Sequence, residues 1–318
     1  MTPDELIDKH RHLPDFHLTR VLGAWVAISA GKIIDVDRTD VLCSCPLQSM
    51  LSDADLETYA MEKIRDLKQF TADREVWRSD FGVPFGASEM FMLALRKGAI
   101  DCAITVCDGA GTVVVNVPEV VQGIGARMNG VFFTSPIRQV QQKLRSHGAL
   151  LFDDARIDQL AGLRLAIEAG FRRIAVTVNA RRGERVGDLR RLEKEAGVSV
   201  TIAAVCGTGA TPERTHEIVS GCDLAWSCAS RCFRESGTRA WLQITRGIPV
   251  FIYTPRGVAL LAAYTDDAGT AVLRSLNPTK QYLIAPGAHP QLVLGTTPVR
   301  VTETPLPVRS GNEPVPLT

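Results

Sequence analysis

From residue 101 to residue 265 the chain alternates short apolar runs with segments of helical periodicity, and that alternation limits the available folds more than any other feature. The runs are "DCAITVC" (101–107), "RRIAVTVN" (172–179), "VSVTIAAVC" (198–206), "CDLAWSC" (222–228) and "IPVFIYT" (248–254). Each is bounded by turn residues, as fully buried strands are. Residues 137–147, 158–170, 184–197, 211–221 and 255–265 carry the apolar spacing of amphipathic helices. Thr211 is placed to cap one of them, with Pro212 in its first turn. "FGASEMFMLALRKGAI" is a further helix, with Ser88 as its cap and Gly98 at its end, and "FRESGTRAWLQIT" reads as helical despite Gly237. Strands alternating with helices predict an α/β fold: an open, mostly parallel, doubly wound sheet with helices on both faces.

This core is expected over residues 80–265. Residues 1–79 read as a lead packing on it. They hold a β-hairpin, Val21–Ser29 and Lys32–Val36 turning at Ala30-Gly31, and then a helix over 53–70. Residues 266–318 are rich in proline and polar groups and are expected to form an extension that is partly disordered, with room for an edge strand.

The 36 basic and 35 acidic residues leave a formal charge of +1, so no electrostatic case exists for nucleic acid or an anionic membrane as partner. The amino terminus lacks an apolar leader, and the apolar windows are shorter than the ~20 residues that span a bilayer. A cytoplasmic protein is expected. In a reducing compartment its eight cysteines are core residues, metal ligands or reactive thiols rather than a disulfide framework.

Open α/β sheets bind ligands beyond the carboxyl ends of their strands. Three predicted strands end there in cysteine: Cys107, Cys206 and Cys228. Small residues follow each, and a parallel sheet would set all three on one edge. Cys102 and Cys222 fall on the opposite edge as structural residues, and Cys232 is a reserve candidate. In "CSCP" (43–46), Cys45 is favoured over Cys43 because a proline follows it, as near iron–sulfur clusters. Thiolates from distant segments fit an iron–sulfur cluster better than structural zinc, which usually takes paired cysteines, and zinc is the alternative. With three cysteines bound, one iron would keep a position open for a small-molecule ligand.

Other groups fall near the same edge. Asp108 is either a general base or the residue that holds the glycine turn. Gly109, Gly111 and Thr112 of "GAGT" offer backbone N–H groups and a hydroxyl to an anion. Ser88 opens a helix whose amino terminus suits an anion or is simply capped by it. Arg127 is a candidate partner for an anionic substrate. No Walker A loop, nucleophile elbow or histidine-based zinc spacing is present.

Taken in order, "DFHLTRVLGAWVAISAGKI", "CPL", "VPFGASEMFMLALRKGAIDCAITVCDGAGTVV", "VQGIGARMNGVFFTSPI", "IDQLAGLRLAIEAGFRRIAVTV" and "CASR" resemble the methanogenesis marker protein 8 family over roughly residues 15–260. The resemblance implies anaerobic one-carbon or cofactor metabolism, without naming a reaction. It leaves open an enzyme, a metal-free ligand-binding domain and a partner protein of an anaerobic enzyme complex. Cys45, Cys107 and Cys228 fall within the matching motifs, and Cys206 falls where the family pattern suggests a histidine.

Overall fold

The computed structural model describes residues 1–38, 43–44, 56–125 and 130–318. Helix α1 (Pro3–His10) opens with a capping box between Thr2 and Glu5. The run read as the first hairpin strand is divided by a turn. β1 (Phe16–Val21) and β2 (Ala24–Ser29) meet at Leu22-Gly23, and β2 meets β3 (Lys32–Asp37) at Ala30-Gly31. All four turn residues have positive φ, the geometry that matches the strands' right-handed twist. Helix α2 (Leu56–Leu67) covers this meander with Leu56, Tyr59, Ala60 and Ile64.

Helix α3 (Ala87–Arg96) leads into β4 (Cys102–Cys107) and β5 (Gly111–Val115), followed by α4 (Pro118–Gly125) and β6 (Val131–Thr134). β6 returns to the amino-terminal meander and pairs with β1, completing a four-stranded sheet ordered β3-β2-β1-β6. The chain then runs through α5 (Arg138–Ser146), β7 (Leu150–Leu151), α6 (Gln159–Glu168), β8 (Arg173–Asn179), α7 (Val186–Ala196), β9 (Ser199–Val205), α8 (Pro212–Gly221) and β10 (Leu224–Trp226). It continues through α9 (Arg231–Glu235), β11 (Leu242–Ile244), β12 (Val250–Ile252), α10 (Pro255–Ala263), α11 (Asp267–Arg274), β13 (Tyr282–Ala285), β14 (Leu292–Leu294) and β15 (Thr297–Glu303).

The large sheet is ordered β14-β15-β13-β11-β12-β10-β9-β8-β4-β5-β7. Helices pack on both of its faces. Met90, Phe91, Val120, Val140 and Leu261 fill one side, and Leu163, Val186, Leu189 and Ile218 fill the other. Successive residues of β4 and β9 alternate between these two cores, as the pleat requires. The sheet is mixed rather than mostly parallel. Only the contiguous set β4-β8-β9-β10 and the pair β11-β13 run parallel, and the remaining neighbours are antiparallel.

The connections explain this correction. Parallel neighbours need a crossover of a dozen or more residues. β4 and β5 are joined by Asp108–Ala110 alone, and β11 and β12 by residues 245–249. "LQI" (242–244), read as the end of a helix, is β11. The carboxyl-terminal residues are built into the fold: β13 and β15 extend the sheet, and residues 304–318 fold back across it. Val315 forms a bridge with Ser44, and the backbone of Thr318 bonds to Ala229 and Arg231. No helix among the described residues is long and apolar enough to cross a membrane.

His17 of β1 is fully buried, its Nδ1 2.7 Å from the Thr134 hydroxyl of β6. Burial pulls its pKa down from 6.5 to about 4, against the opposing pull of Asp108. Between those values the unfolded chain binds a proton that the folded chain does not, so folding stability rises with pH. Full stability is expected above pH 6.5, with about 3 kcal/mol lost as the pH falls toward 4. Denaturant titrations across that range should show a steeper pH slope for the native chain than for His17→Asn; equal slopes would refute the assignment.

Candidate functional site

Strands β4, β8, β9 and β10 set their carboxyl ends on one edge of the large sheet, and the four-stranded sheet with α2 closes over that edge. Between them lies a cavity of about 350 Å³. Thr105 and Val106, Thr177 and Asn179, Val205 and Cys206, and Trp226 and Cys228 bring the four strands to it. The amino-terminal layer contributes Arg20, Tyr59, Lys63 and Val131, and the loop after β8 contributes Glu184. Pro314 of the folded-back tail also lines it.

Cys206 and Cys228 occupy equivalent places, each just beyond a parallel strand. Both have left-handed backbones, with φ of 60° and 47°. That conformation costs a non-glycine residue roughly 1–2 kcal/mol and concentrates at functional sites. The two loops are fastened together. Ala229 N donates to the Thr208 hydroxyl at 3.0 Å, and Arg20 donates to Thr208 O at 2.5 Å. Gly207 permits the approach, because a Cβ there would lie 2.7 Å from Trp226 O. Gly130 gives room to the Cys206 thiol: a Cβ at that position would lie 2.8 Å from Sγ.

Burial pushes the Cys206 thiol up to about 12; the neighbouring Cys228 adds to the rise, and Arg20 and Lys63 oppose it. Lys63 sits 5.0 Å from the centre of the Tyr59 ring, and Arg20 sits 5.3 Å from that of Trp25. Glu184 is nearly buried, its Oε1 3.3 Å from Arg182 Nε. Its Oε2 is buried without a hydrogen-bond partner, and burial pushes its pKa up against the pull of Arg182.

Cys107 and Asp108 lie elsewhere. Cys107 is fully buried in the core on one face of the sheet, with its thiol 3.3 Å from Asp108 O, and it does not line the cavity. β8 separates β4 from β9, which sets their ends about 10 Å apart. Asp108 is a structural anion rather than a base. It accepts from Phe70 N at 2.5 Å and from Arg74 Nε at 3.0 Å, with both charged side chains inaccessible to solvent.

Gly109, Gly111 and Thr112 belong to the tight β4–β5 hairpin and also lie outside the cavity lining. Both glycines have positive φ. A Cβ on Gly109 would press on Ile137, and one on Gly111 on Ala155 O. Thr112 donates to Gln159 and accepts from Asp158 N. Ser88 lines the cavity, but Gly86 is the helix cap, and the Ser88 hydroxyl donates to Glu89. Cys45 and Arg127 lie outside the described residues. Cys43 lines the cavity, with its thiol 3.4 Å from Leu22 O. Among the described residues no group of three or more His, Cys, Asp or Glu is placed to hold a metal ion.

Sequence reading missed Arg20, Tyr59, Lys63, Asn179 and Glu184. The strand-end rule could have nominated Asn179, which ends a predicted strand, and the loop holding Glu184, which follows it. Arg20 and Lys63 arrive from another layer and carry no local signal.

Fold and cavity together define a mixed α/β protein with a thiol-lined, partly charged pocket at the carboxyl edge of its parallel strands. The chain belongs to a family described as "Uncharacterized protein conserved in archaea (DUF2099)", whose model matches residues 17–265. It is 33% identical over 264 residues to the uncharacterized protein MJ0054 of Methanocaldococcus jannaschii, covering 80% of this chain and 92% of that one. The matched region carries Cys206, Cys228, Glu184 and Lys63, and it stops short of the tail that supplies Pro314.

Two substitutions separate structure from site. Asp108→Asn strands the buried Arg74 charge and should cost about 3 kcal/mol or more in denaturant unfolding, although it changes no side chain that lines the cavity. Gly130→Ala should perturb the Cys206 thiol with a smaller stability loss of about 1–3 kcal/mol, read as a changed rate of thiol alkylation.

Proposed function

We propose that the cavity is the working site of a cysteine-ligated metal protein of anaerobic one-carbon or cofactor metabolism, with an iron–sulfur cluster as the first choice and zinc as the second. It acts on a small anionic or sulfur-containing molecule or takes part in cofactor maturation. The observation that carries this reading is the pairing of Cys206 and Cys228: two strained cysteines, at the ends of adjacent parallel strands, on one cavity.

Two thiols do not complete a tetrahedral site. The reading therefore requires a further donor from the segment holding Cys43, which lines the cavity, and Cys45, two positions on. Cys107 has no part in it. Metal binding must displace the proton that burial holds on the Cys206 thiol, so uptake should strengthen as the pH rises. A bound cluster would supply an iron with a free position for the ligand. Arg20 and Lys63 would attract an anion, and the apolar walls would exclude water. The resemblance to methanogenesis marker protein 8 and a relative from Methanocaldococcus jannaschii support the anaerobic setting.

Metal analysis and visible spectra of protein prepared without oxygen test this. Iron with sulfide, or zinc, should be present at a fixed ratio to chain. Cys45→Ser, Cys206→Ser and Cys228→Ser should each lower it severalfold, with Cys107→Ser unaffected. A wild-type chain that takes up neither metal on anaerobic reconstitution would overturn the proposal.

A further inference from the structure

Glu184 presents an acceptor that the fold itself leaves unanswered. Its side chain is 8% exposed and lines the cavity. One oxygen faces Arg182, and Oε2 is buried with no hydrogen-bond partner. A buried acceptor without a donor is costly, and such an atom on a cavity wall marks where a ligand's donor belongs.

The same cavity carries positive charge on Lys63 and Arg20 and a second carboxylate on Glu89, whose oxygens already accept from Gly82 N, Val83 N, Ser88 and Gln122. Val83, Phe91, Val106, Val131 and Trp226 contribute apolar wall. A volume of about 350 Å³ suits a small molecule. Cationic side chains on the wall attract an acid group by long-range charge, and a hydroxyl or amino group answers Glu184 Oε2.

We infer that the organic ligand of this site is a short-chain carboxylic acid bearing a hydroxyl or amino donor, with that donor bonded to Glu184 Oε2. This rests on the cavity being the ligand site, as proposed above, but not on the metal. A site built to receive a donor rejects the analogue that lacks it, because the polar group is then left unpaired. Discrimination of about tenfold or more is expected, the range that one unmade buried hydrogen bond gives.

The test compares matched pairs by calorimetric titration of the full, reduced, metal-free chain. Short-chain hydroxy acids and amino acids are set against their unsubstituted parent acids. The wild type should bind the donor-bearing acid about tenfold more tightly than its parent. Glu184→Leu, which lacks any acceptor, should bind the two equally, and Glu184→Gln should keep part of the preference. Lys63→Met should weaken both acids alike. No preference in the wild type, a preference surviving in Glu184→Leu, or no acid binding at all would overturn the inference. Metal uptake on separate anaerobic reconstitution distinguishes the two proposals: a wild type that takes up no metal yet discriminates removes the metal alone, and one that takes up metal but does not discriminate removes only the ligand class.

Discussion

The buried carboxylate of Asp108 holds the two layers of the molecule together. It sits at the tip of the β4–β5 hairpin, in the large sheet, and its partners lie outside that sheet. Phe70 N and Arg74 belong to the segment after α2, and Arg74 in turn donates to Ile124 O at the end of α4. The next residue, Gly109, donates to the Thr134 hydroxyl of β6, which also bonds to His17 of β1. One turn thus ties the amino-terminal meander, α4 and the main sheet. An unpaired charge at this depth would be severely destabilising, so the partners must be present together and the layers must meet in one register. The cavity exists because they do: its floor is the strand edge and its roof is the sheet and helix so anchored.

That register decides which cysteines meet. The parallel order β4-β8-β9-β10 makes Cys206 and Cys228 neighbours and leaves Cys107 two strands away. The hairpin turn then folds Cys107 into the core. The folded-back tail adds a third constraint. Ser44 bridges to Val315, and Thr318 bonds to the residues that follow Cys228. The tail thereby holds the segment beside Cys43 against the loop of Cys228, although the two are far apart in the chain.

The helices and parallel strands from 158 to 228 are legible in the sequence because each is set by local periodicity and by caps such as Thr211, whose hydroxyl accepts from Arg214 N. The sheet's polarity is less legible. "VCDGAGTV" offers the same residues to a strand-loop-helix as to a hairpin, and only the pairing of Cys107 with Gly111 settles it. β11 is three residues long and too short to show a period. The strand-end rule correctly points to Cys206 and Cys228 as cavity residues, and it fails at Cys107 because it presumes a parallel crossover where the chain makes a tight turn. Asp108, Gly109, Gly111 and Thr112 fail with it for the same reason. The partner that makes Asp108 structural, Arg74, is 34 residues away, and no local pattern announces it.

The electrostatics of the cavity bear on what it can hold. Burial disfavours the charged form of both Cys206 and Glu184; Arg20 and Lys63 oppose it at the thiol, Arg182 and Arg214 oppose it at the carboxyl, and the charge of Glu184 adds to the rise at Cys206. A bare anion entering the cavity would add a further negative charge beside both groups. A cation at the thiols would offset that charge, and a hydrogen-bond donor would answer Glu184 Oε2. Both proposed occupants, a metal with an anionic ligand and an acid that brings its own donor, would supply such a compensating group. Cys206 and Cys228 both line this cavity on left-handed backbones, a strain of roughly 1–2 kcal/mol each that a bound state would offset.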